Sequence, residues 1–202
     1  MKEIDTVILD VGGVLADYWP DEYFTRLGYD EETAGRLKKA TFESGHWHEY
    51  DRGVLTDEEV RGRFKALAPD LAAEIDASLT HAYDLVTKRD TAIPWIRSIK
   101  ERGYRVYILS NFSYTVMEDC KDALDFAPYA DGCFWSMEHK LIKPDAAIFL
   151  TLFYEYKIDP ERAVFIDDTQ ANLDTAQKLG LRTILYRSQQ QAEEELIRLL
   201  EK

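Results

Sequence analysis

Cysteine is almost missing from this chain: Cys120 and Cys133 are the two among 202 residues, and they do not form a C-x-x-C pair. That excludes a disulfide framework and a cysteine-ligated metal site, and makes a reducing, cytoplasmic setting the expectation. Long apolar runs are also missing, since no stretch approaches the roughly 18 residues needed to cross a bilayer. The opening Met1-Lys2-Glu3-Ile4-Asp5 carries charge where a signal peptide would be apolar, so neither secretion nor membrane association is expected. Basic residues are in deficit, 25 Lys and Arg against 38 Asp and Glu for a net charge of −13, with no local basic patch. Such a field repels polyphosphate backbones, and no nucleic-acid partner is expected. Repeats and low-complexity segments are absent. What remains is 46% hydrophobic and 12% aromatic, enough to bury a sizeable core in one domain with room for a second, smaller one.

Four short runs rich in β-branched or aromatic residues read as strands buried on both faces: Thr6 to Leu9, Val106 to Leu109, Ala163 to Ile166 and Thr183 to Tyr186. Helical patterns alternate with them at Ile93 to Arg102, Ala146 to Tyr156, Asn172 to Leu179 and Gln191 to Leu200. Strand and helix in alternation predict an α/β fold, a doubly wound, Rossmann-like parallel sheet. From about Tyr18 to Thr91 the pattern is helix after helix with no strand run, broken at Gly28, Gly45, Gly53 and Pro69, which predicts an inserted helical cap. The expected division is therefore a core of residues 1–17 and 92–202 with a cap of 18–91. Thr56-Asp57-Glu58-Glu59 reads as a capping box that starts a helix at Asp57, and Asp159-Pro160 as an N-cap with proline in the first turn. Glu193-Glu194-Glu195 lies among leucines and reads as the solvent face of a terminal amphipathic helix.

In an open parallel sheet, ligands bind beyond the carboxyl ends of the strands. Those ends read Asp10-Val11-Gly12-Gly13-Val14-Leu15, Ser110-Asn111 and Asp167-Asp168, with Lys143-Pro144 ahead of the helix that begins near Asp145. Taken singly, each has a bland reading: Asp10 and Ser110-Asn111 as turn residues, Asp167-Asp168-Thr169 as a helix cap, Lys143 as a solvated charge. Converging, they fit phosphoryl transfer through a covalent aspartyl-phosphate. Asp10 is the candidate nucleophile. Asp10, the Gly12 carbonyl and Asp168 are candidate ligands for Mg2+, with Asp167 holding the metal's waters. Ser110, Asn111 and Lys143 are candidate phosphate-binding groups, and Lys143 also lowers repulsion around Asp10.

In that order and spacing, Asp10, Ser110, Lys143 and Asp167-Asp168 resemble the four motifs of the haloacid-dehalogenase-like hydrolase superfamily. The insertion between the first two resembles its small helical cap. Leu9 to Leu15, Glu49-Tyr50-Asp51-Arg52-Gly53 and Leu109-Ser110-Asn111 resemble the α-D-glucose-1-phosphate phosphatase-like branch. The resemblance implies a magnesium-dependent phosphatase acting on a small phosphorylated metabolite, with a sugar phosphate foremost.

One departure bears on mechanism. Most phosphatases of this superfamily carry a second Asp two residues after the nucleophile, as general acid and then base, and here that position is Gly12. A general acid contributes about 100- to 10,000-fold, so the loss falls hardest on poor leaving groups. The cap can supply a replacement, with His46, His48, Glu49 and Asp17 as candidates. Two alternatives remain open. Dehalogenases of the superfamily also lack the second Asp, although an acidic pair gains nothing in a metal-free site that binds an organic carboxylate. A catalytically weak binding or regulatory protein on the same fold is the other. Trp19, Tyr23, Phe24, Phe42, Trp47 and Tyr50 could wall the site, yet cap aromatics are first of all cap core. The sequence leaves the oligomeric state undefined.

Overall fold

The computed structural model describes residues 3–200. Its strands are β1 (Thr6–Leu9), β2 (Ala16–Tyr18), β3 (Val86–Lys88), β4 (Arg105–Ser110), β5 (Gly132–Trp135), β6 (Ala163–Asp167) and β7 (Arg182–Leu185). Five of them form one sheet in the order β5-β4-β1-β6-β7, every neighbouring pair parallel. β1 lies at the centre and is buried throughout.

Because side chains alternate across a strand, each central strand feeds both layers. Val7, Leu9, Val106, Ile108, Val164 and Ile166 pack on one face with Trp95, Ile96 and Ile99 of the Ala92–Glu101 helix and Leu196 of the Gln189–Leu200 helix. Ile8, Tyr107, Leu109 and Phe165 pack on the other with Ile148, Phe149 and Leu152 of the Ala146–Tyr156 helix and Leu173 and Ala176 of the Gln170–Lys178 helix. Helices on both faces make the sheet doubly wound, as its near-continuous apolar strands require.

The four expected strands and four expected helices are present within two residues at each end. The fifth strand, β5, is four residues long and opens with Gly132 and Cys133, too short and too weakly patterned to stand out. The expectation of no strand between residues 18 and 91 is corrected. β3 pairs antiparallel with β2, Tyr18 opposite Val86 and Ala16 opposite Lys88, closing a two-stranded ribbon where the chain leaves the sheet and returns. Each ribbon strand is three residues long and has one buried end, so neither carries an apolar run.

Between β2 and β3 lie helices at Tyr23–Arg26, Glu31–Ala40, Gly45–Asp51, Asp57–Leu67 and Ala72–Leu79. The capping box is formed: the Thr56 hydroxyl accepts from Glu59 N and the Glu59 carboxylate from Thr56 N, at 3.2 and 2.8 Å. Asp159 caps a single 3-10 turn at Pro160–Arg162, so that proline starts a turn and not a longer helix. The cap aromatics form its core: Tyr23, Phe24, Phe42, Trp47 and Tyr50 are buried, with Phe42 and Trp47 in edge contact at 4.6 Å between ring centroids. Cys120 and Cys133 are free thiols.

Candidate active site

Register delivers the site. Leu9 is level with Ile108 of β4 and Ile166 of β6, so residues one and two steps further out, Asp10, Ser110 and Asp167-Asp168, emerge together at the carboxyl edge of the sheet. The Asp10 amide still bonds to the Ile166 carbonyl at 3.0 Å, which fixes its start. Beyond this edge is a cavity of about 510 Å³, within the range that holds small-molecule ligands. Asp10, Gly12, Ser110, Asn111, Lys143 and Asp168 line its floor.

Lys143 is almost wholly buried between two carboxylates, its Nζ 2.7 Å from Asp10 Oδ1 and 2.7 Å from Asp167 Oδ2. Burial alone would lower the ammonium pKa, but Asp10 and Asp167 together hold it above its ordinary value, so the cation persists. Burial pushes the Asp10 carboxyl up; Lys143 opposes that shift, and Asp167 and Asp168 reinforce it. Asp168, more open to the cavity, is raised by burial and then by Asp167.

Asp167 is fully buried with both oxygens occupied. Thr169 N donates to Oδ1 at 2.7 Å, Lys143 to Oδ2, and the Asn172 amide to both, at 3.1 and 3.0 Å. This arrangement makes Asp167 the anchor of Lys143 and leaves Asp10 and Asp168 with oxygens facing the cavity. The Asn111 side chain is likewise committed: its Nδ2 donates to the Lys143 carbonyl and its Oδ1 accepts from the Lys143 amide, at 3.0 and 2.9 Å. Donation to a bound phosphoryl group would come from the Asn111 backbone, whereas Ser110, buried at the end of β4, turns onto the cavity.

Asp10, Asp167 and Asp168 offer carboxylate oxygens within 4.8 Å of one another. Gly13 makes this approach possible: its φ is +74°, and a Cβ there would lie 2.2 Å from Asp168 Oδ2. Three crowded carboxyls, two of them pushed toward protonation, against one ammonium make a donor set suited to a hard divalent cation.

Of the four candidate replacements for the acid missing at Gly12, only His48 lines the cavity. Glu49 pairs with Arg52 at 3.4 Å. Asp17 is taken by Arg89, whose Nε donates to it at 2.6 Å and whose Nη1 bonds to the Gly13 and Val14 carbonyls at 2.8 Å each. Asp51, within the Glu49-Tyr50-Asp51-Arg52-Gly53 stretch, is not among those four candidates, yet it lines the cavity with Tyr18, Phe42 and Trp47. The signal was helical spacing, since residues 47 and 51 share a face.

Residues 4–180 match the haloacid dehalogenase-like hydrolase family. The chain is 28% identical over 200 residues to drimenol cyclase drtB of Aspergillus calidoustus, covering 96% of this chain but 36% of that protein. It is 25% identical over 187 residues to the GMP/IMP nucleotidase YrfG of Escherichia coli K12, covering 91% of this chain and 83% of the relative. It is also 25% identical over 138 residues to (S)-2-haloacid dehalogenase 4A of Burkholderia cepacia, covering 68% and 60%. The fold is shared with a HAD family enzyme of Bacteroides thetaiotaomicron solved in complex with magnesium and inorganic phosphate, at a TM-score of 0.70, 24% identity, and 92% and 96% coverage. Among the described residues, no helix is long and apolar enough to cross a membrane.

Proposed function

This chain belongs to the haloacid dehalogenase-like hydrolases, and on that premise we propose that it is a magnesium-dependent phosphatase that hydrolyses a small phosphorylated metabolite, a sugar phosphate foremost, through an aspartyl-phosphate on Asp10. The observation that carries this reading is the meeting of three carboxylates within 4.8 Å of one another, two of them on the floor of a cavity that Ser110 and Lys143 also line. Asp10, Asp168 and the Gly12 carbonyl are the groups that would hold Mg2+. When bound, the ion supplies charge neutralisation between the phosphoryl oxygens and the nucleophile. Asp10 attacks phosphorus as a carboxylate, its Oδ1 held by Lys143. Ser110 donates to an equatorial phosphoryl oxygen, and Lys143 offsets the charge that builds there. Water then attacks the aspartyl-phosphate and releases inorganic phosphate.

The cavity wall supports a neutral leaving group. Tyr18, Phe42, Trp47, Leu85, Val86 and Val116 give it apolar surface. A haloacid would bring its own carboxylate toward Asp10 and Asp168, while the Lys143 ammonium is already shared between two carboxylates. This disfavours the dehalogenase reading on electrostatic grounds.

The test is phosphate release from sugar phosphates and an aryl phosphate, with Mg2+ and with a chelator, comparing wild type with Asp10→Asn. Release that requires both Mg2+ and Asp10 is expected. Chelator-insensitive halide release from 2-haloacids, or phosphate release that survives in Asp10→Asn, overturns the reading.

A further inference from the structure

Gly12 leaves the reaction without a proton donor for the departing oxygen at the usual position. A Cβ at position 12 would lie 3.5 Å from Cβ and 3.7 Å from Cγ of Tyr18, so that side chain borders the space a residue there would enter. The cavity has one other carboxyl besides those around Lys143. It is Asp51, the last residue of the Gly45–Asp51 helix. Resting on the phosphatase reading above, we propose that Asp51 is the general acid and base of this enzyme, supplied by the cap and not by the strand that carries the nucleophile.

Three observations make Asp51 suited to that role. First, although it belongs to the insertion, it is fastened to the core. Ser136 Oγ donates to the Asp51 carbonyl at 2.5 Å while accepting from the Phe112 amide at 2.8 Å. Phe112 follows Ser110-Asn111, so one hydroxyl couples the backbone of Asp51 to the phosphate-binding loop. Secondly, the chain just after Asp51 lies against the same core segment. Gly53 has φ +73°, and a Cβ there would fall 2.6 Å from the Met137 carbonyl; Arg52 Nη2 meets Asp145 Oδ2 at 3.2 Å, and Lys140 donates to the Gly53 carbonyl. A proton donor must keep its distance to the leaving oxygen, and these ties hold the helix end that carries it. Thirdly, no cation holds Asp51 ionised. Burial pushes its carboxyl up to about 8, countered in part by Trp47, so it carries a proton at neutral pH. The ionisable groups sharing its cavity are Tyr18 from β2, His48 on its own helix, and Asp10, Lys143 and Asp168 across the floor.

The steps balance. Asp10 Oδ bonds to phosphorus as the bond from phosphorus to the leaving oxygen breaks, and the Asp51 carboxylic acid gives its proton to that oxygen, releasing a neutral alcohol. Asp51, now a carboxylate, takes a proton from a water whose oxygen bonds to phosphorus; the bond from phosphorus to Asp10 breaks, restoring the Asp10 carboxylate and the Asp51 acid.

The experiment compares wild type, Asp51→Asn, Asp51→Glu and His48→Gln on α-D-glucose 1-phosphate, a primary alkyl phosphate and 4-nitrophenyl phosphate, with Mg2+, alongside thermal melts. Asp51→Asn is expected to lose about 100- to 10,000-fold on the alkyl phosphate and at least about tenfold less on the aryl phosphate, whose leaving group needs no proton. Asp51→Glu recovers part of the alkyl loss. The wild-type kcat/KM profile on the alkyl phosphate falls above pH about 8, a limb that Asp51→Asn lacks. Equal losses on all substrates, no loss, leaving-group selectivity that follows His48→Gln, or a wild-type profile without that limb overturns the role of Asp51 and leaves the phosphatase standing. No phosphate release by wild type from any substrate overturns the phosphatase reading and this one with it.

Discussion

Lys143 Nζ stands 2.7 Å from Asp10 Oδ1 inside a site almost closed to solvent. The same nitrogen is 2.7 Å from Asp167 Oδ2, so one ammonium neutralises two buried carboxylates. Removing it leaves those charges facing each other, and breaking a buried pair costs about 3–5 kcal/mol. Lys143→Met is therefore expected to be inactive and strongly destabilised in urea melts. Without the cation the Asp10 carboxyl is pushed further up, so it is neutral at low pH and uncompensated at high pH. The loss against wild type should be smaller at pH 5 than at pH 8, and a loss independent of pH would show that the ammonium does not carry this balance.

Gly13→Ala tests the carboxylate cluster from the backbone side. The substitution sets an L side chain at φ +74° and places a methyl where Asp168 Oδ2 now lies, 2.2 Å away. Asp168 must move, and Mg2+ affinity measured by calorimetry is expected to fall about 10- to 100-fold, the usual scale for disturbing the support of a ligand. Unchanged affinity would remove Asp168 from the proposed metal site.

Most of the floor of this site was legible in the sequence because Asp10, Ser110 and Asp167-Asp168 stand at the ends of apolar runs, and parallel register converts that pattern into proximity. Asp10, Ser110 and Asp167-Asp168 needed only strand ends to be found, whereas Lys143 lies ahead of the Ala146–Tyr156 helix and stood out by its order among them. The roles of Asn111 and Asp167 were not legible, since whether an amide or carboxylate faces a ligand or a neighbour depends on a partner 32 or 24 residues away. β2 and β3 were hidden because three-residue strands carry no period. Asp51 was legible only as a helix-face neighbour of Trp47; that its end of the helix meets the core through Ser136, 85 residues distant, was not.

Arg89 is the other residue that local pattern could not reveal. From the end of the ribbon it reaches Asp17 at 2.6 Å, the Gly13 and Val14 carbonyls at 2.8 Å and the Tyr186 hydroxyl at 3.2 Å, tying the exit from the sheet to the re-entry. Hydrogen bonds from a charged donor contribute about 1.5–3 kcal/mol. Arg89→Met is expected to lose about 2–3 kcal/mol on that scale in denaturant melts and to raise KM, because the loop that carries Gly12 and Gly13 loses its brace. A Met variant with wild-type stability and KM would show the brace to be redundant.

The Asp51 carboxyl also leaves a mark on stability that does not depend on any substrate. Its ordinary value in an unfolded chain is about 3.9, and burial in the fold raises it to about 8. Below pH about 4 the group is protonated in both states and its favourable contribution is fully present. Between there and about 8 the unfolded chain ionises while the folded one holds its proton, so stability is lost steadily as pH rises, and the loss levels off once the folded carboxyl ionises too. Asparagine does not titrate. The melting temperature of Asp51→Asn relative to wild type should therefore climb from pH 4 to 8 and then stay flat, with each kcal/mol appearing as about 2–4 °C in a chain of this size. An advantage that shrinks as pH rises would mean that the fold holds Asp51 ionised, and a carboxylate without its proton has nothing to give a departing oxygen at neutral pH.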